Sequence, residues 1–465
     1  MVDYKKGQYM SICGIKYRAY PTRAQAKIFS QWIGCARVIY NFKVEEDQKN
    51  YKMFKETGEK TLIGQAYSSF KTADRSWLSE VPSQILRNSA SNWYQSKQRF
   101  FKGLAKNPRK KHRGKKDSVL LTQELFTLTE QINSVGEINK ILTIGTKRYP
   151  VGQLKVTYHR ECGQPKQIVI SKKNGCWYVS FCYETGEVIP SAEAILSDYS
   201  NMSESLLTAI TAGIDRGIVV PFQVSNGSQF NFTQEAQLKL ETKAKRLKRY
   251  QKKMAHQKLS SNSRKRTKQK IGKLHKKISN IRHDFCHQTS RALVNNPSIA
   301  VFSIENLSLS HMTKAPKPKM AEDGHYLPNK RKAKAGLNRT LLSKGLGKTI
   351  DFLEYKARKA GKCVIYVSPH HSSQECATCG HTHPDNRKTQ SVFLCLSCGN
   401  ADNADQNAAK VIAKRGIQYL LSQPIIKKTT RLGISRSHAG RGERKTTEVD
   451  FISAPAPMTS EALSL

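Results

Sequence analysis

Two cysteine pairs, Cys376–Cys379 and Cys395–Cys398, enclose the 15 residues 380–394 and constrain this chain more than any other feature. Each pair is a CxxC followed by glycine, Gly380 or Gly399, so each reads as a tight knuckle that turns two thiolates toward one tetrahedral ion. A thioredoxin-like redox pair would account for one CxxC opening a helix but not for a second. Four sulfur ligands close the shell and leave no position for a substrate, so the expected zinc is structural, and the nearby His370, His371, His381 and His383 are spare. The other cysteines among the chain's 11 are scattered and read as small half-buried hydrophobes; the odd total argues against a secreted disulfide framework.

Charge limits the partners. The 465 residues carry 79 Lys+Arg against 35 Asp+Glu, a net +44. Such self-repulsion calls for a polyanion, and nucleic acid is the commonest. A membrane-surface role fits less well: no apolar run approaches the roughly 18 residues of a spanning helix, and the N-terminus lacks the apolar core of a secretory signal. The expectation is a cytoplasmic, nucleic-acid-binding protein of two to four domains.

Along the chain, Ile28, Trp32, Cys35, Ile39 and Phe42 form one face of an amphipathic helix, and Leu86, Ala90, Trp93 and Phe100 form a second. The basic, Pro- and Gly-containing stretch 106–116 reads as a loop on a phosphate backbone. The period then changes to two: 167–183 reads as a hairpin around Asn174-Gly175, with Trp177, Val179 and Phe181 on the buried face. The Ser-, Ala- and Pro-rich segment 187–204 resembles a linker, 213–223 a strand, and Asn226-Gly227 a turn returning along 229–232. From Lys243 to His283 there are 17 Lys/Arg and no acid, with helical spacing broken only at 259–263, so a hairpin of two basic helices facing a polyanion is expected. Residues 316–334 read as a mobile loop and 342–361 as a helix; 417–421 is apolar-periodic up to Pro424, and the last forty or so residues have the composition of a disordered tail.

Three carboxylates sit where chemistry could use them. Asp215 lies in Gly213-Ile214-Asp215-Arg216-Gly217, Glu305 ends the apolar run Ala300–Ile304, and Asp405 opens the helical stretch that continues Gln406-Asn407-Ala408-Ala409. Singly, each has a structural reading: a solvent-facing strand end, or for Asp405 a helix N-cap. Together they match the demand of two-Mg²⁺ phosphodiester hydrolysis for acids converging from separate strands and a helix. Asp402 is a second acid in the last region, but Asp405 alone directly precedes the Gln-Asn-Ala-Ala helix.

The order strand-Asp, strand-Glu, helix-Asp is that of an RNase H-like fold. With the cysteine ribbon, Ile304-Glu305-Asn306-Leu307 and Ala404–Ala409, it resembles the RuvC motifs of the transposon-encoded TnpB family, related to compact type V CRISPR nucleases. Further stretches agree: Tyr17–Thr22, Trp77–Gln84, the loop around Pro108, Leu337-Asn338-Arg339, Phe352–Ala357 and Pro369–Cys376. The resemblance implies a multidomain α+β chain: an RNase H-like (RuvC) α/β nuclease domain with an inserted zinc ribbon, preceded by a wedge-type β-barrel carrying a helical recognition insertion. The barrel would take 1–19 and 106–190, the recognition domain 20–105, a linker 191–208, the nuclease domain 209–368 and 399–421, the ribbon 369–398 and the tail 422–465. It further implies an RNA-guided DNA endonuclease, monomeric and nucleoid-associated when on DNA. Guide RNA and target double-stranded DNA would be its partners, structural Zn²⁺ would sit on Cys376, Cys379, Cys395 and Cys398, and catalytic Mg²⁺ on Asp215, Glu305 and Asp405. The alternatives are a compact CRISPR effector, a nuclease-inactive RNA-guided repressor, and an RNA-independent junction resolvase.

Overall fold

The computed structural model describes residues 8–59, 63–114, 117–132 and 138–423, which divide into two compact units, one over residues 10–187 and one from 188 onward. The tail beyond 423 lies outside the described residues.

In the first unit, strand β1 (Gln8–Tyr20) leads into a capping box. Thr22 Oγ1 accepts from the Gln25 amide at 3.2 Å, and Gln25 Oε1 accepts from the Thr22 amide at 3.1 Å, starting helix α1 (Arg23–Thr57). Left-handed Gly58 (φ 74°) ends it. Helix α2 (Ser83–Phe101) packs on α1 through Leu86, Ala90 and Trp93. Six strands follow: β2 (Asp117–Thr122), β3 (Phe126–Ile132), β4 (Ile138–Gly145), β5 (Pro150–Thr157), β6 (Gln167–Lys173) and β7 (Cys176–Pro190). The expected hairpin is β6–β7, with Asn174 (φ 53°) and Gly175 (φ 78°) supplying the two positive φ angles of its turn.

The sheet order is β2-β6-β7-β1-β5-β4-β3. The ladders do not give the expected wedge-type β-barrel: among the described residues the edges β2 and β3 do not pair. Yet these opposite edges are joined by only Gln123–Leu125, so the sheet must roll until they meet at one corner. Nor are the helices a separate body. Phe29, Trp32, Ile39, Ile85 and Leu86 share one core with Tyr17, Leu121, Val179 and Phe181, because the apolar faces of α1 and α2 meet the sheet as well as each other.

The second unit opens on a correction. Residues 191–208, expected as a linker, form α3 (Ala192–Ser200) and α4 (Glu204–Ile210). Their serines are N-caps, Ser191 accepting from the Ala194 amide and Ser203 from the Leu206 amide, and Ile195 and Leu207 are buried. The expected strand 213–223 is two, β8 (Thr211–Asp215) and β9 (Phe222–Val224), interrupted around Gly217 and Pro221; β10 (Gln229–Phe230) follows the Asn226-Gly227 turn. Basic helices α5 (Gln234–Ala255) and α6 (Asn262–Asn295) form the expected hairpin, then come β11 (Val301–Glu305) and short α7 (Leu309–Met312). The expected loop 316–334 holds the ladder β12 (Lys319–Met320) and β13 (Tyr326–Leu327) and the start of α8 (Arg331–Ser343). Left-handed Gly345 separates α8 from α9 (Leu346–Lys359), and β14 (Cys363–Val367), β15 (Val392–Leu394), β16 (Ala401–Asn403) and α10 (Ala404–Leu421) complete the unit.

The order β10-β9-β8-β11-β14, with β8, β11 and β14 parallel, makes a three-layer unit. Ala212, Ile214, Phe302 and Ile304 pack against α6, α8 and α9 on one face; Val301, Cys363 and Ile365 pack with α3, α4 and α10 on the other. Among the described residues no helix is long and apolar enough to cross a membrane.

Candidate active site and metal centre

The alternation of β8 and β11 decides where the acids point. Since Ile214 and Ile304 are paired and face α6, the next residues, Asp215 and Glu305, face α10 from the same end of adjacent parallel strands. Gly213 admits the helix to this face: a Cβ there would lie 2.0 Å from the Ala409 carbonyl oxygen and 2.5 Å from the Ala413 nitrogen. Gly416 plays the same part against β11, where a Cβ would meet the Ser303 hydroxyl at 2.5 Å, and Ser303 itself donates to the Ile412 carbonyl at 2.7 Å.

The close seat of α10 brings Asp405 to the strand acids. Burial, then the charges of Glu305 and Asp405, push the Asp215 carboxyl up to about 7. Asp405 is not the helix cap. Asn403 is, its side chain accepting from the amides of Asp405 at 3.0 Å and Gln406 at 3.2 Å, which frees the Asp405 carboxylate. Asp402 turns elsewhere, to Lys410 at 2.8 Å. The structure therefore gathers Asp215, Glu305 and Asp405 and leaves Asp402 out.

Several partners of these acids carry no sequence signal. Ser372, 67 residues from Glu305, donates to its Oε1 at 2.5 Å, and both are buried. Arg216 donates to the Glu305 carbonyl at 2.5 Å. Arg387 holds Asp405 Oδ1 at 3.2 Å. Asn403 was legible, since Asn before Ala-Asp-Gln is a helix-start pattern, whereas Ser372 and Arg387 meet the acids only through the tertiary fold.

The four cysteines converge as their spacing requires. Their sulfurs all lie within 4.8 Å of one another, with Cys376–Cys398 at 3.7 Å and Cys379–Cys395 at 3.6 Å. A tetrahedral zinc at ~2.3 Å from each sulfur sets S···S near ~3.8 Å, so the set fits the ion. Each knuckle closes through its glycine, Gly380 donating to the Cys376 carbonyl at 2.9 Å and Gly399 to that of Cys395 at 3.0 Å. Burial opposes ionisation of Cys376, but the amides of Cys379 and Thr378 outweigh it and bring the thiol down to about 6, toward the thiolate that zinc needs.

The ribbon is tied to α10 by buried Asn407. Its Oδ1 accepts from the Ala377 amide at 2.9 Å and its Nδ2 donates to the Glu375 carbonyl at 2.7 Å. Inside the ribbon, buried Asn386 donates to the carbonyls of Gln374 and His381 and accepts from the Leu396 amide. The ribbon and the helix bearing Asp405 are thus one hydrogen-bonded body.

Family models match three stretches: a Cas12f1-like TNB domain at 347–412, a probable transposase at 180–315 and a helix-turn-helix domain at 10–56. The last stretch is here one strand and one long helix. A protein of Escherichia coli (strain K12) named "Putative RNA-guided DNA endonuclease InsQ" is 30% identical over 406 residues, 86% of this chain and 91% of that protein. The chain belongs to the TnpB (IS605 OrfB) family. A second relative within reach of this TnpB chain, "Putative RNA-guided DNA endonuclease" of Streptomyces pristinaespiralis, is 26% identical over 86% of this chain and 89% of its own length. In fold, the chain resembles the protein in a structure described as the Cas12f1-sgRNA-target DNA complex (TM-score 0.51, 14% identity, 87% of this chain and 99% of the other). It is thus a mixed α+β, multidomain fold like that of Cas12f1.

Proposed function

We propose that this TnpB-family chain is an RNA-guided DNA endonuclease in which Asp215, Glu305 and Asp405 hold Mg²⁺ and the four cysteines hold structural Zn²⁺. The observation that carries the reading is that three carboxylates face one end of the sheet, where burial first, and then the charges of Glu305 and Asp405, lift the Asp215 carboxyl to about 7. Such mutual repulsion is costly unless a cation offsets it, and Mg²⁺ would there activate water and stabilise the leaving oxygen of a phosphodiester. This chain's own groups position the acids: Ser372 orients Glu305, the Asn403 cap presents Asp405, and Gly213 admits the helix.

The relatives' names support guide RNA and target DNA as partners, and +44 of charge supports a polyanion. The rolled sheet with α1 and α2 would serve as the wedge and recognition modules around guide RNA and heteroduplex, and the ribbon would help place target DNA. In the test, Asp215→Ala abolishes Mg²⁺-dependent DNA cleavage while co-purifying RNA stays bound. Asp215→Asn raises the melting temperature of the metal-free protein, because one repelling charge is gone. Undiminished cleavage by the alanine variant overturns the site, and protein that purifies without RNA overturns the guided function.

A further inference from the structure

Helices α5, α6 and α8 line an open cavity of about 350 Å³ that holds two cations. Arg282 of α6 and Lys344, the residue capping α8, both line it and both are half-buried. The Arg282 Nε is buried without a hydrogen-bond partner, and among the described residues neither cation forms an ion pair. Glu241, the acid in the lining, is exposed and pairs with neither. Burial holds the basicity of both cations below normal, with no neighbouring acid restoring it.

A half-buried guanidinium whose buried Nε stays idle is costly in a fold that needs it only for stability, because buried donors are otherwise paired. Apolar Phe232, stacked on Phe285 at 4.1 Å, and Ile278 floor the cavity, so the charges lie over low-dielectric material that strengthens attraction to an incoming anion. Thr340 and Ser343 now donate to carbonyls of their own helix and can rotate toward a ligand. A planar guanidinium beside an ammonium and two hydroxyls is a donor set for a phosphate group. The same helices carry further exposed cations, Lys273 and Lys277 on α6 and Arg339 on α8, whose charge favours a polyphosphate chain over a lone carboxylate.

We propose that this cavity is a phosphate-binding site, fitted to a backbone phosphate of the bound RNA. The RNA source rests on the guided function proposed above; the phosphate chemistry does not. The test uses the full-length protein and its Arg282→Gln and Lys344→Gln variants. Inorganic phosphate is expected to raise the melting temperature of the RNA-stripped protein and to lose that effect in both variants. Affinity for the co-purifying RNA should fall about tenfold, and the slope of log affinity against log salt should drop by about 0.7–0.9 for each phosphate no longer engaged. The RNA-stripped variants should melt no lower than the parent, since the cation removed has no partner. If the phosphate effect vanishes but the RNA slope holds, the site takes free phosphate and the RNA source is overturned. If the parent does not respond to phosphate and the variants keep the parental slope, or if Arg282→Gln melts markedly lower, the site itself is overturned and Arg282 is a structural residue.

Discussion

The cysteine ribbon and the α5–α6 hairpin both lie in the second unit, yet they are held in opposite ways. In the ribbon nearly every buried polar group has a named partner: Asn386 makes three hydrogen bonds, Asn407 two, and the sulfurs sit at zinc spacing. In the hairpin, α5 has no buried residue among those described, and the first half of α6 buries Ile271, Leu274 and Ile278 beneath a densely cationic face before Phe285, Cys286 and Leu293 carry its second half into the sheet core. The first region is stabilised from within and the second awaits something outside it. A metal site is satisfied by ligands of the chain itself, whereas a polycationic face is complete only with a polyanion.

The largest effect should come from breaking the ribbon. Cys395→Ser should lower zinc content and cut DNA cleavage at least about tenfold to a hundredfold, although no sulfur touches substrate. Hydrogen exchange should then rise in the ribbon and the first turn of α10 but not in α5–α6; full activity in a zinc-depleted variant would separate metal from acid. Next, Asn407→Ala should cost about 2–4 kcal/mol in denaturant melts, because it strands the buried Ala377 amide and Glu375 carbonyl at ~1–3 kcal/mol each. An effect below about 1 kcal/mol would mean that the ribbon holds its place without that tie.

On the hairpin side, adding RNA should slow amide exchange in α5 by about tenfold or more, while the ribbon's protection should scarcely change. Raised salt should slow α5 exchange as well, by screening its repulsion. Equal protection in both regions without RNA would erase the contrast. The smallest effect belongs to Lys410→Ala. It removes an exposed partner of Asp402 and should cost under about 1 kcal/mol by thermal melt, with cleavage intact.

How much of this was legible in the sequence follows from the range of the interactions. The knuckles, the Asn174-Gly175 turn and the basic hairpin are written in local spacing and appear where spacing puts them, and the three acids are legible as strand-end and helix-start residues. Local composition misleads at 191–208, where serines that cap helices look like linker serines. It also cannot reveal that α1 and α2 share the sheet's core, because sharing depends on which apolar face meets which. Ser372 and Arg387 are ordinary polar residues until the fold sets them against Glu305 and Asp405.

The placement of β1 has a consequence for synthesis. It is made before every other strand of its sheet, but it sits mid-sheet between β7 and β5, and its Tyr20 pairs with Lys155, 135 residues later. At about 5–20 residues per second, that strand waits roughly 7–27 s for a neighbour, with both hydrogen-bonding edges open. Meanwhile only α1 and α2 can shelter its apolar side chains, since their partner surface in the sheet does not yet exist. Co-translational misfolding should therefore begin at this early-made strand, and substitutions that weaken the early docking of α1, such as Phe29→Ala, should lower soluble yield by more than their equilibrium cost of about 3–5 kcal/mol explains.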